Sequence, residues 1–323
     1  MSKFLVALFA LAAMAAASDQ MAGPTSGVLI DPETRAIRPI IGVPGSAYAG
    51  ESAVRDADFA LAAPDGRTAL ISRESSLYVL RRLDSGQPVW RTLSDEALTL
   101  GRAAWSQDAQ ALALHLPDRS SLQLWSAMQD APEIAGEVDL STIDGQLTAL
   151  AVASDGKTAF AAFESGDHGI LYILKAGETP RMMLPLNRAG AMAIQDKALY
   201  VADRERNEVI RIENWDFSLS ISTVATAAHG ISNPVGIALA NRGETLLVAN
   251  GETRQVIAIG VKSSAVEAAL DLDFTPTRLE PTGSVFLLAS GTAGERPAQV
   301  LDAGSMKVFF VPIPAPAPAV ALD

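Results

Sequence analysis

Three histidines, His115, His168 and His229, are the only imidazoles in a chain that contains no cysteine. They stand 53 and 61 residues apart, without the i, i+2 or i, i+4 spacings that aim two side chains at one metal ion. The absence of thiols excludes thiolate zinc sites, thiol nucleophiles and covalent haem attachment through CxxCH. Gly156-Lys157-Thr158 ends like a phosphate-binding loop, but position 151 is alanine where that motif needs its first glycine, and no helical pattern follows. Asp271-Leu272-Asp273 opens like a calcium loop, yet Pro276 takes the required glycine position and Thr282 the required glutamate. GxGxxG, HExxH and GxSxG do not occur.

The side chains that remain are suited to recognition. Charged clusters recur along the chain: Arg73-Glu74; His115 with Asp118-Arg119; Glu164 with Asp167-His168; Asp203-Arg204-Glu205-Arg206-Asn207; Asn250 with Glu252 and Arg254; and Glu295-Arg296. Guanidinium groups are fork-shaped donors for carboxylates and phosphates. If the clusters converge, Arg73, His115, Arg119, His168, Asp203, Arg204, Arg206, Asn250 and Arg254 form the candidate ligand-binding set, for a protein or a polar small molecule. If they do not, they are solvated loops with local ion pairs, each worth little.

Whether they converge depends on the elements that carry them. The stretch Ala198 to Asn214, ALYVADRERNEVIRIEN, reads as a buried strand, a charged loop and an alternating strand. A turn with sequence echoes precedes each such unit: APDGRTAL at 63–70, SQDAQALAL at 106–114, ASDGKTAFA at 153–161, IQDKALYVA at 194–202, ANRGETLLVA at 240–249 and EPTGSVFLLA at 280–289. Aligned on Gly66, Ala109, Gly156, Lys197, Gly243 and Gly283, the copies are 40 to 47 residues apart. A period of about 40–45 residues, with four short strands in each, is the mark of a β-propeller blade. In that geometry every loop between second and third strands falls on one face, around the channel entrance, so the charged clusters share it.

Two copies also resemble known repeat families. LYVADRERNEVIRI (199–212) is similar to an NHL repeat and LLVANGETRQVIAI (246–259) to a YVTN-type repeat. The resemblance implies a β-propeller. It carries a second implication: some related propellers are hydrolases or lactonases with a divalent metal such as Ca²⁺ held over the channel by carboxylates and asparagine. Asp203 and Asn250 occupy comparable positions after their strands, although the other blades offer no clear glutamate or second aspartate. A structural cell-envelope role also fits the YVTN likeness.

Six units span residues 58–314. Before them, residues 27–42 read as two strands joined by Asp31-Pro32-Glu33-Thr34, and residues 43–54 read as a loop. The expectation is an all-β propeller of seven four-stranded blades, closed by the N-terminal segment 18–57; six blades is the alternative. The end, Pro312-Ile313-Pro314-Ala315-Pro316-Ala317-Pro318, is of extended polyproline type, with residues 315–323 as a tail that cannot join a ladder internally.

Composition agrees with this architecture. Apolar residues are 49% of the 323, and 24 glycines with 18 prolines suit many short strands and turns. The net charge of −12 repels phosphate backbones, so nucleic acid is not an expected partner. Lys3, the apolar run Phe4 to Ala17 and the small residues Ala15-Ala16-Ala17 before Ser18 have the layout of a secretory signal peptide, here residues 1–17. That predicts a secreted or periplasmic protein without a lipid-anchoring cysteine and, after cleavage, without an integral membrane segment. The expected role is non-catalytic binding or scaffolding with no cofactor; a metal-dependent hydrolase is the alternative.

Overall fold

The computed structural model describes residues 23–31, 34–290 and 297–313. The signal segment 1–17, the tail 315–323 and the pair Glu295-Arg296 lie outside the described residues.

The protein is an all-β, seven-bladed propeller. Six blades follow in chain order, each a four-stranded antiparallel meander. Their first strands are Phe59–Ala62, Arg102–Trp105, Gln146–Val152, Ala189–Gln195, Pro234–Ala240 and Arg278–Thr282. These six lie innermost and together line a central cavity of about 220 Å³. Second strands are the most enclosed: Ala198–Asp203 and Thr245–Asn250 are buried along their whole length. Fourth strands such as Val89–Ser94 face solvent.

Turn chemistry explains the sequence echo. Asp65 Oδ1 accepts the amides of Arg67 and Thr68 at 2.9 Å, and its Oδ2 accepts the Thr68 hydroxyl at 2.8 Å. Asp155 repeats the arrangement with Lys157 and Thr158. Each turn contains a residue at positive φ: Gly66, Ala109, Gly156, Asp196, Gly243 and Gly283. In the fourth blade that residue is Asp196, one position before the Lys197 chosen by alignment. Asp, like Gly, tolerates the left-handed region through its short polar side chain.

Sheets stack face to face around the ring, and the apolar cores lie between neighbours. Ala149, Phe160, Leu171 and Ile173 of the third blade pack on Leu199, Val201, Ile210 and Ile212 of the fourth. There Phe160 meets Trp215 edge-on, centroids 5.0 Å apart.

The seventh sheet is N-terminal and has three strands among the described residues: Thr25–Ile30, Ile37–Ile41 and Tyr48–Ala49. Its last strand falls inside the stretch read from sequence as a loop. The sheet wedges between the first and sixth blades. Val28 and Ile37 pack on Ala69, Ile71 and Leu80 on one side; Leu29 and Ile40 pack on Val285, Val300 and Val311 on the other. This removes the free edges an open ring would expose.

The first strand of this sheet runs opposite to the innermost strands of the other blades. It starts beside the turns, where Gly27 lies against Gly66 and Thr282, and ends at the opposite face beside Arg278. By direction it matches a second strand, and no residue of it lines the central cavity.

Candidate functional site

Two rims encircle the channel. One carries the six tight turns. The other carries the loops between second and third strands, and the connections from each blade to the next. The charged clusters within the described residues fall on this second rim, but they do different work there.

Asp203 and Asn250 close the second strands of neighbouring blades, 1% and 0% exposed. Asp203 Oδ2 accepts the Asn187 amide at 2.8 Å, and its Oδ1 accepts the amides of Glu205 and Arg206. Asn250 Oδ1 accepts the Ser232 amide at 3.1 Å, while its Nδ2 donates to the Gly230 carbonyl. Both tie the connection leading into their own blade to the end of its second strand. With their oxygens committed to backbone donors, neither can turn to a cation without leaving buried amides unpaired. These two positions do not fit the ligand role that the lactonase likeness implies. Among the described residues, no three His, Asp or Glu side chains are grouped to hold a metal.

Arg204 and Asn207 staple the fourth blade to the fifth. Arg204 Nε donates to Asn233 Oδ1 at 2.8 Å, and Asn207 Oδ1 accepts the Asn233 amide at 2.6 Å. Arg206 lies near Asp203 and Glu208 at 3.8 and 3.7 Å. Arg73 pairs with Glu74 at 3.2 Å and Arg119 with Glu96 at 2.8 Å; all four side chains are largely exposed, so each pair contributes little. Arg254 is exposed, at φ 54°, and its carbonyl accepts the Leu272 amide. His168 opens the third strand of its blade in full solvent, whereas His115 is half-buried one blade earlier. No hydrogen bond joins the two among the described residues.

Two arginines that begin innermost strands were missed by sequence reasoning. Arg102 begins the innermost strand of the second blade and Arg278 that of the sixth. Arg102 is accessible to water, yet the concave surroundings lower its pKa, first through desolvation and then through the nearby charge of Arg278. It remains charged at neutral pH. Arg278 has a partner, Glu280, at 3.0 Å. Arg102 has no ion-pair or hydrogen-bond partner among the described residues. Its strand neighbour His115 is held below the ordinary histidine pKa by burial, then by the Arg102 charge. Arg188, the residue before the innermost strand of the fourth blade, adds another guanidinium to the rim. Nothing in the sequence marks Arg102 or Arg278, because each sits at a blade-to-blade junction where the repeat has no shared motif.

No protein-family model matches the chain, and no curated protein matches it. Solved structures do. The β-propeller domain of Cps50 (Swd1) from Myceliophteria thermophila is similar at TM-score 0.54 and 11% identity, over 78% of this chain and 84% of that one. A functionally unknown protein from Desulfotomaculum acetoxidans DSM 771 is similar at TM-score 0.51 and 13% identity, over 76% and 78%. At these identities the likeness is one of fold alone.

Proposed function

We propose that this protein is an exported, non-catalytic binding or scaffold module that receives an anionic group at the rim bearing Arg102 and Arg278. The observation that carries this reading is the Arg102 guanidinium, set in a partly desolvated mouth with no partner among the described residues and a second guanidinium close by. A cation held there attracts a carboxylate or phosphate group more strongly than one on an open surface, because the surrounding protein excludes screening water. The contrast with the rest of the molecule sharpens the effect. On a chain of net charge −12, a basic mouth directs an anion to one place.

The propeller itself supports a binding role in general, since such scaffolds host many functions on their loops. Export rests on the tripartite layout of residues 1–17, and the YVTN-like stretch at 246–259 agrees with a cell-envelope setting. No helix among the described residues is long and apolar enough to cross a membrane.

Titration with citrate and with inorganic phosphate, followed by thermal shift, tests the site. The wild-type chain is stabilised by at least one of them, as mass action requires. Arg102→Ala abolishes the shift, while Arg254→Ala, on the outer rim, leaves it in place. Equal shifts in wild type and Arg102→Ala, or none in either, would sink the proposal. Sequencing the N-terminus of protein recovered outside the cytoplasm tests export: Ser18 is the expected first residue.

A further inference from the structure

The rim arginines stand at the heads of strands that turn apolar at once. Arg102 is followed by Ala103, Ala104 and Trp105, and Arg278 by Leu279. Arg188 leads into the strand that contains Met192. Each of those later residues lines the central cavity of about 220 Å³, together with Leu61, Leu150 and Ile237. The cavity therefore begins one residue beyond Arg102 and Arg278 along their strands, and it continues to Gln107 and Thr282 at the turn rim.

Polar side-chain atoms in this lining are few and already engaged. Trp105 Nε1 donates to the Leu61 carbonyl at 3.3 Å. The Thr282 hydroxyl accepts the Val28 amide at 2.7 Å and donates to the Val28 carbonyl at 2.8 Å. Glu280 is the one charged residue of the lining among the described residues, and its carboxylate is held by Arg278 at 3.0 Å. An ordered water needs two to four polar partners, which such walls do not offer, so an apolar group entering here displaces no well-held water. A leucine- and isoleucine-lined cavity of about 150 Å³ already holds benzene; on the same scale this one takes a chain or ring of roughly six to eight carbons. A neighbouring cavity of about 440 Å³, between the first and sixth blades, suits an alkyl chain less well, because Asp31, Arg35, Arg278 and Glu280 are all in its lining.

We propose that the ligand of this rim is an amphipathic monoanion, such as a medium-chain carboxylate, with its head on the Arg102 guanidinium and its apolar tail in the central channel. The inference rests on the anion site proposed above and names the class of molecule that fills it. Two features set the ligand's direction. The unpartnered cation lies at the head of the strand and the apolar wall follows it, so head and tail are each met by their own chemistry. Glu280 then opposes a second negative charge deeper in the channel, which selects one anionic end over two. Burial of the tail adds to the attraction of the head, since every methylene taken out of water contributes on its own.

Isothermal titration of the wild-type chain with acetate, butanoate, hexanoate and octanoate tests this. Affinity is expected to rise roughly threefold per methylene, and Arg102→Ala to weaken octanoate at least about tenfold. In a methyl-labelled sample, the alkyl protons of bound octanoate give nuclear Overhauser effects to Met192, Ile237 and Leu279. Effects to Leu29 and Ile30 instead put the tail in the neighbouring cavity and overturn the proposal. So does an equal affinity for all four carboxylates; if citrate then still binds through Arg102, the anion site stands and only the channel's part in it is lost. When citrate, phosphate and every carboxylate fail to bind, the anion site itself is refuted and the inference falls with it. Affinity that climbs with chain length but is unchanged in Arg102→Ala describes an apolar site without an anionic head, and this too overturns the proposal.

Discussion

At the scale of single residues, the rim shows two uses of polar side chains that sequence reading cannot separate. Asp203, Asn250, Arg204 and Asn207 stand in charged, loop-like text, yet their atoms are spent on backbone groups or on the neighbouring blade. Asn250→Ala removes an acceptor from the Ser232 amide and a donor from the Gly230 carbonyl at a site with 0% exposure, so a loss of about 1–3 kcal/mol in stability is expected, read by denaturant unfolding. Asn250→Asp keeps the acceptor but sets a buried carboxylate oxygen against the Gly230 carbonyl, so it is destabilised at least as much as Asn250→Ala. If Asn250→Ala unfolds at the wild-type denaturant concentration, the clamp is not structural. His115 yields a pH prediction with a definite sign. Its pKa in the folded state lies below its ordinary value, so on acidification the unfolded chain takes up the proton first. The contribution of His115 is complete above about pH 6.5 and is lost as pH falls from there through the lowered folded pKa. His115→Gln flattens that part of the stability-versus-pH curve. A variant curve parallel to wild type between pH 7 and 5 would show that another group titrates.

At the scale of elements, what was legible followed from local chemistry and what was not followed from tertiary placement. The hairpin turns were readable because an aspartate at the turn caps two amides and a residue at positive φ follows, as at Asp65 with Gly66 and at Asp155 with Gly156. The strand Tyr48–Ala49 was not, since two residues among glycine, proline and serine carry no alternation and are fixed by tertiary pairing, with Ile40 and Ile41 on one edge and the Pro312 carbonyl on the other. Arg102 and Arg278 were missed for a similar reason: only the closed ring brings these junction residues to one mouth. Element packing also makes Gly27 a point of high sensitivity. A Cβ there would stand 2.5 Å from the Thr282 carbonyl oxygen and 2.8 Å from its hydroxyl, the group that satisfies Val28. Gly27→Ala therefore forces the first strand off the sixth blade, at a cost of about 1–3 kcal/mol or more. Gly86→Ala has open space around it, so only its left-handed backbone, φ 70°, opposes the change, by about 1 kcal/mol. Melting both variants side by side checks the ranking, and a Gly27→Ala protein as stable as Gly86→Ala would contradict the close approach.

At the scale of the whole molecule, the N-terminal sheet determines whether seven stacked interfaces form a ring or a rod with two sticky ends. Each apolar core belongs to two neighbouring blades, so no blade buries its faces alone. Remove the closing sheet, and the first blade presents Ile71 and Leu80 to water while the sixth presents Val285, Val300 and Val311. Fully burying one aliphatic side chain of this size contributes roughly 1.5–3 kcal/mol, so the two uncovered faces amount to a large share of a typical domain's stability. A chain beginning at Gly50 is expected to lose the sharp single unfolding transition of the closed ring. It should also associate through the two exposed faces, visible as oligomers in gel filtration and as increased binding of a hydrophobic dye. Deleting instead the charged turn of the fifth blade, Gly251 to Arg254, removes as conspicuous a stretch of sequence but uncovers no interface. That chain stays monomeric. A monomeric, cooperatively melting protein that lacks residues before Gly50 would mean that the first and sixth blades can close on each other, and that the seventh sheet is an addition to the ring, not its lock.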